Sequence, residues 1–87
     1  MDKQEKAATI KAFARSDKDV GSADVQIAVL TKRITHLTEH LKGHSKDHSS
    51  SRGLTAMVNR RRKLLSYLDR TAHTRYLELI QRLSLRH

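Results

Sequence analysis

The sequence predicts an all-α protein of four helices built around one long antiparallel helix hairpin. The chain of 87 residues has no proline and only three glycines, a composition that favours helices joined by short connectors. Apolar residues recur at helical spacing along two long stretches, and no stretch shows the alternation of a strand. A chain of this length is expected to form one domain, residues 1–87, with a small core.

Two helices are predicted in the first half of the chain. A short helix is expected over about residues 3–15, followed by a polar loop over residues 15–21. Its apolar face consists of Ala7, Ile10, Phe13 and Ala14. Ser22 is the expected N-cap of a helix over residues 23–42, with Asp24 in the first turn and Gly43 as the C′ residue that ends it. The stripe of this second helix consists of Ile27, Leu30, Ile34, Leu37 and Leu41.

The second half predicts another long helix and a short last one. Asp47, Ser49 and Ser50 are alternative N-caps for the long helix, and Arg61 interrupts its apolar stripe at the middle turn. That stripe consists of Leu54, Met57, Val58, Leu65 and Leu68. Thr71 is the expected cap of the last helix. The apolar side of that helix consists of Tyr76, Leu77, Ile80 and Leu83.

Positive charge is concentrated in the later part of the chain. Lys and Arg number 18 against 9 acidic residues, for a net charge of +9. Residues 1–31 hold five bases and five acids, so the whole excess lies in residues 32–87. Such a lopsided distribution predicts binding to a polyanion, either a nucleic acid or an anionic surface.

Several protein classes are disfavoured by what the sequence lacks. Without cysteine the chain has no disulfide framework and no thiolate metal site. No run of about 18 apolar residues would span a bilayer, and the first residues do not resemble a signal peptide, so a cytoplasmic protein without a membrane partner is expected. Asp17, Asp19 and Asp24 crowd a loop and a helix start without a matching base, and we expect neither enzymatic activity nor a cofactor.

Four histidines recur at a spacing of four residues, at positions 36, 40, 44 and 48. On a helix this spacing gives a ladder that rises about 6 Å per step, so at most two of these side chains reach one ion. No metal site is therefore expected. Polar surface histidines and contact with a nucleic-acid groove both remain open interpretations.

The segment over residues 40–53 combines short hydrogen-bonding side chains with basic ones. This combination predicts RNA binding, because Lys and Arg contact phosphates while His, Asp and Ser contact base edges and 2′-hydroxyls. Asp47 lies within the most basic region, where a carboxylate repels phosphate, so it is expected to accept a hydrogen bond from a donor such as the guanine amino group of a minor groove. A cap role for Asp47 is compatible with this contact. The expected phosphate contacts are Lys46, Arg52, Arg60, Arg61, Arg62 and Lys63.

Some basic residues in this set must serve structure. The consecutive bases at positions 60–63 cover a full helical turn, so they cannot all face one groove. Tyr67 is interpreted either as an edge-of-core residue or as a phenol that stacks on a base. The leading alternatives to an RNA-binding protein are a helical DNA-binding domain and an amphipathic protein that acts at anionic membrane surfaces.

The order of these residues closely resembles the bacterial small-subunit ribosomal protein S15 family. The resemblance rests on the pattern His40-x6-Asp47-x2-Ser50-x-Arg52-Gly53-Leu54, on the basic run followed by Tyr67, and on the turn at Gly21 and Ser22. It extends to the ending Arg75-Tyr76-x3-Ile80-x2-Leu83-x-Leu85-Arg86, and so covers nearly the whole chain.

The resemblance implies a four-helix protein that binds the central domain of small-subunit rRNA early in ribosome assembly. It implies a minor-groove site for a G-U/G-C element at His40, Asp47 and Ser50. It also implies a three-way-junction site at Gly21, Gln26, Arg33, Tyr67 and Arg70. Further implied partners are other small-subunit proteins, large-subunit rRNA at an intersubunit bridge, and the protein's own messenger RNA.

The sequence departs from the family pattern at a few positions. Val20 stands where the family commonly has Thr, so the hydroxyl that the family offers there is missing. Asp24 stands where Glu is frequent. Residues 45–51 replace side chains that are often Lys, His or Arg, but they keep Asp47 and Ser50.

Overall fold

The computed structural model describes residues 2–85 and confirms the all-α class, with four helices in that range. In chain order they are α1 (Lys3–Phe13), α2 (Ala23–Gly43), α3 (His48–Thr71) and α4 (His73–Arg82). Helices α2 and α3 form the predicted antiparallel hairpin, since Leu37 approaches Gly53 while Thr31 is bonded to Arg61 further along α3. None of the helices in this part of the chain is long and apolar enough to cross a bilayer.

Side chains cap the first three helices. The Val25 N–H donates to Ser22 Oγ over 3.4 Å at the start of α2, which confirms the predicted cap. Of the three alternatives for α3, Asp47 is the cap, and its Oδ1 accepts from the Ser50 N–H over 3.1 Å. At α1, Asp2 accepts from the Glu5 N–H over 2.7 Å.

Two predicted helix ends were wrong in detail. Thr71 does not cap α4 but is the last residue of α3, where its hydroxyl donates to the Tyr67 carbonyl over 2.9 Å. Because Thr71 belongs to α3, Ala72 is the residue that precedes α4, and it makes no side-chain cap bond. Gly43 is the last residue of α2, not the C′ residue, and its φ is not positive.

A cluster of buried side chains lies where α4 crosses one end of the hairpin. This core consists of Ile27, Leu68, Tyr76, Leu79 and Ile80. Leu77 was predicted in it but is 40% exposed, whereas Leu79 is 3% exposed. The reason is that α4 packs on two sides: Leu79 shares a cleft with Phe13 of α1 and Asp24 of α2, and Leu77 is left outside.

Towards the other end of the hairpin, the packing is shallower. Leu37 and Leu41 of α2 and Leu54 of α3 are only half-buried there. We call this end, where residues 44–47 connect the helices, the hairpin tip. The opposite end, which holds the core, is the hairpin base.

Helix α1 lies against α2 and is fastened at both of its ends. Near its start, Glu5 Oε1 is 2.9 Å from His36 Nε2 of α2. Near its end, the Arg82 guanidinium of α4 donates to the Ala12 carbonyl over 3.2 Å and lies 4.0 Å above the Phe13 ring. The predicted apolar face is only half-buried at Ile10 and Phe13 and is exposed at Ala7, while Thr9 is 5% exposed.

Candidate nucleic-acid interface

Three predicted site residues form one hydrogen-bonded group at the hairpin tip, which we call the tip cluster: His40, Asp47 and Ser50. Asp47 Oδ2 accepts from the Ser50 hydroxyl over 2.6 Å and lies 3.0 Å from His40 Nε2. Asp47 Oδ1 accepts from the Ser50 N–H. The last turn of α2 supplies His40, and the capped first turn of α3 supplies the other two, so the connection between the helices brings them together.

The tip cluster fixes the protonation state of its carboxylate. Hydrogen bonds from the Ser50 hydroxyl and backbone N–H, and then from His40, hold the pKa of Asp47 well below its ordinary value of 3.8. An ionised carboxylate only accepts hydrogen bonds, so His40 must donate through Nε2. Asp47 is therefore an anion in the middle of a basic surface.

The groups that the tip cluster presents outwards are mainly acceptors. The Ser50 hydroxyl donates its proton inwards to Asp47, which leaves its lone pairs free for a ligand. Asp47 Oδ1 has one bond and room for a second. When His40 is neutral, its Nδ1 is also an acceptor. Such a surface selects a ligand that offers N–H or O–H donors.

The remaining ladder histidines do not converge on one point. The His44 ring stacks on His40 with centroids 4.4 Å apart, and its Nδ1 donates to the His40 carbonyl over 3.1 Å. His36 pairs with α1 instead. Within residues 2–85, no three His, Cys, Asp or Glu side chains are placed to hold a metal ion.

We call the five predicted junction residues the junction group: Gly21, Gln26, Arg33, Tyr67 and Arg70. Four of them lie towards the hairpin base, whereas Arg33 lies at the middle of α2 and lines a cleft with His40 of the tip cluster. Gln26 Nε2 donates to the Gly21 carbonyl over 2.7 Å. Gln26 and Arg33 line one cleft beside Val20, which is 71% exposed. Tyr67 is 50% exposed, so the structure does not place it in the core.

Gly21 has no backbone peculiarity of its own. Its φ is not positive, and a Cβ added to it would meet no atom within 4 Å. Along α2, Gln26 of the junction group precedes His40 of the tip cluster by 14 residues, which span about 20 Å at 1.5 Å per residue.

The basic side chains at positions 60–63 of α3 point in different directions. Arg60 donates to Gln26 Oε1 over 3.4 Å and lines the cleft beside Val20. Arg61 is half-buried and donates to Thr31 Oγ1 over 3.3 Å, and burial lowers its pKa. Arg62 lines a groove between α3 and α4, and Lys63 is exposed. Lys46 and Arg52 are exposed near the tip.

Sequence reasoning missed two polar features at the hairpin base. Asp24 pairs with Arg75 of α4 and raises the pKa of that guanidinium; the two residues are 51 positions apart, so no local pattern pointed to the pair. Asp19 accepts from three backbone N–H groups in the loop before α2. The Asp19-Val20-Gly21-Ser22 sequence is a turn signal that could have indicated this role.

The sequence matches known proteins over almost its whole length. The family model described as Ribosomal protein S15 matches residues 5–86. A small ribosomal subunit protein uS15 from Shewanella sediminis (strain HAW-EB3) is 58% identical over 83 residues, which cover 94% of this chain and 93% of that protein. The uS15 of Methylacidiphilum infernorum (isolate V4) is 56% identical over 82 residues, with 94% and 93% covered. That of Aquifex aeolicus (strain VF5) is 54% identical over 77 residues, with 88% and 86% covered.

Proposed function

Because this chain belongs to the ribosomal protein S15 family, we propose that it is a structural component of the small ribosomal subunit. It binds the central domain of small-subunit rRNA and catalyses no reaction. The tip cluster contacts a G-U/G-C element in a minor groove, and the junction group contacts a three-way junction. Binding selects the folded arrangement of the junction, to which later small-subunit proteins bind.

The acceptors of the tip cluster are the observation that carries this proposal. In a minor groove the guanine N2 amino group is the distinguishing base donor, and RNA adds the 2′-hydroxyl on every nucleotide. The Ser50 hydroxyl directs its proton to Asp47, and therefore meets these donors with lone pairs. A carboxylate at this position would weaken a protein that bound phosphates alone, because the negative charge repels the RNA backbone.

The length of the hairpin explains why two sites act together. A rigid helix pair that contacts RNA at points about 20 Å apart, the rise between Gln26 and His40, restrains both the position and the direction of the bound helices. The exposed bases near the tip and on α3 add sequence-independent affinity through phosphate contacts. The exposed bases thus supply affinity, whereas the tip cluster and the junction group determine where on the RNA the protein binds.

Asp47→Asn tests the tip site without removing the helix cap, since Asn and Asp are equally good N-caps. The amide nitrogen replaces Oδ2 and donates to Ser50 Oγ, so the Ser50 proton turns outwards and that hydroxyl changes from acceptor to donor. We expect binding to an RNA hairpin that carries the G-U/G-C element to weaken by about 1–3 kcal/mol, measured as Kd at fixed salt. Replacing the element's guanine by inosine, which lacks the amino group, should cost the native protein a similar amount and the variant much less.

Asp69→Asn is the matched control. Asp69 also bonds a histidine ring, at 2.6 Å from His73 Nδ1, but it lies at the hairpin base, so this variant should bind the same hairpin normally. Equal losses by Asp47→Asn on the native and the inosine hairpins would refute the minor-groove assignment. Preference for duplex DNA over rRNA in direct competition would refute the wider proposal.

A further inference from the structure

We propose that Asp19 is a positioning residue for the junction group, which it prepares for RNA without touching the RNA itself. Its carboxylate folds the loop over residues 15–22, and that fold sets where the Gly21 carbonyl holds the Gln26 amide. The inference rests on the proposed junction site and adds to it a residue that the site needs.

The first step is the hydrogen bonding of the carboxylate. Asp19 Oδ1 accepts from the N–H groups of Gly21, over 3.2 Å, and Ser22, over 2.9 Å. Its Oδ2 accepts from the Arg15 N–H over 2.9 Å. One side chain thus joins the start of the loop to its end.

The second step is that little else anchors residues 15–20. Residues 15–18 are exposed, and Val20, the large apolar side chain of the loop, is 71% exposed. Apolar packing therefore contributes little to the shape of residues 15–20. The backbone adds the Asp19 N–H bond to the Ser16 carbonyl, at 3.1 Å, which does not reach Gly21.

The third step connects the loop to the side chain that faces the junction. The Gly21 carbonyl accepts from Gln26 Nε2 over 2.7 Å, and Gln26 Oε1 in turn accepts from Arg60 over 3.4 Å. The Gln26 amide is therefore held between the loop and α3. Loss of the Asp19 bonds frees the Gly21 peptide and with it one of these two supports.

Asp19→Ala should affect RNA binding more than folding. Water can replace the carboxylate at the exposed Arg15 and Gly21 N–H groups, so the chain should stay folded and its melting temperature should fall only modestly. Affinity for a junction-only RNA, a central-domain fragment that lacks the G-U/G-C element, should fall about tenfold. This is the factor expected when the loop adopts its binding shape about one tenth of the time. Amide exchange of Gly21 and Ser22 without RNA should accelerate.

Two variants separate positioning from a charge effect. Asp17→Ala removes the same charge from an exposed site in the same loop and should bind normally. Asp19→Asn retains one acceptor oxygen but no charge, and it should recover at least half of the lost binding free energy. Asp19→Asn binding as poorly as Asp19→Ala would show that the charge acts directly, and would overturn the proposal.

A double-mutant cycle with Gln26→Ala supplies the decisive readout. If Asp19 acts through the Gln26 amide, the two losses on junction-only RNA should be markedly less than additive. Additive losses would overturn the positioning role. Should Gln26→Ala weaken binding while Asp19→Ala does not, only this inference fails. Should Gln26→Ala leave binding unchanged, the junction site itself is refuted, and this inference with it.

Discussion

Asp47 and Asp19 show how a single exposed carboxylate organises several groups around it. Each accepts at least three hydrogen bonds with its two oxygens, and each precedes the first turn of a long helix. Asp47 joins His40 of α2 to the first turn of α3 at the hairpin tip. Asp19 joins the two ends of the loop over residues 15–22 at the hairpin base. Both must be ionised to accept every one of these bonds, so the local structure around each carboxylate depends on pH.

The pH dependence of stability follows from this requirement. The Ser22 side chain, followed by the Arg15 and Ser22 N–H groups, lowers the pKa of Asp19 from 3.8 to about 2. A lowered folded-state pKa stabilises the protein fully above the unfolded-state value, and this contribution is lost as pH falls towards the folded-state value. We expect the melting temperature of the native protein to fall relative to that of Asp19→Asn between pH 3.8 and about 2.

Above about pH 5 the difference in melting temperature between these two proteins should be constant, because Asp19 is then fully ionised in both the folded and the unfolded protein. Asp17→Asn serves as the reference, since Asp17 is exposed in the same loop. A pH profile for Asp19→Asn that runs parallel to that of the native protein down to about pH 2 would contradict the assignment.

At the scale of the element, α3 carries two unlike functions along one helix. Its inward face packs on α2, and its outward faces carry the basic run. Arg61 and Arg62 are neighbours in sequence, but the helix directs them differently: Arg61 is half-buried against Thr31, while Arg62 is exposed. Adjacent arginines thus provide a natural comparison between structural and electrostatic roles.

Arg62→Gln and Arg61→Gln should therefore give opposite results. The first should reduce the slope of log K against log salt by up to about one unit, through loss of a phosphate contact, with unchanged stability. The second should cost about 1 kcal/mol of stability through the lost bond to Thr31, with little change in slope. Filter binding across a salt series and urea denaturation measure the two effects. Identical slope changes would show that both side chains reach the RNA.

Helix elements could be predicted from sequence where local rules decide the outcome. Ser22 and the apolar spacing of the second helix placed α2 within one residue of its observed bounds, because capping and periodicity are local. Thr71 and Leu77 were misassigned since tertiary packing decides there: α4 follows α3 after a single residue and packs on two sides. The tip cluster could be predicted by type, but its inward-directed Ser50 proton depends on the fold.

At the scale of the whole molecule, the core is concentrated at one end. Ile27 and Leu68 are at most 1% exposed at the hairpin base, whereas the side chains towards the tip are half-buried. Burial of apolar area is the main stabilising term, so stability should decrease from base to tip. The fold is thereby most rigid where α1, α4 and the junction group meet.

Leu68→Ala and Leu41→Ala test this gradient with the same chemical change. At the base, truncation of a fully buried leucine should cost about 2–5 kcal/mol of global stability. At the tip, the loss should be smaller and should accelerate amide exchange mainly around residues 38–54, since local opening there is already the lower-energy event. Equal global losses would show that the hairpin is stabilised uniformly.

The isolated fold does not require glycine at position 21. Its backbone conformation suits any L-amino acid, and the space around its Cα is open, so the protein on its own would accommodate a methyl group there. Any requirement for glycine at this position must then originate in the partner. In the proposed junction site, a closely approaching nucleotide would supply that requirement by steric exclusion, without any part played by torsional strain.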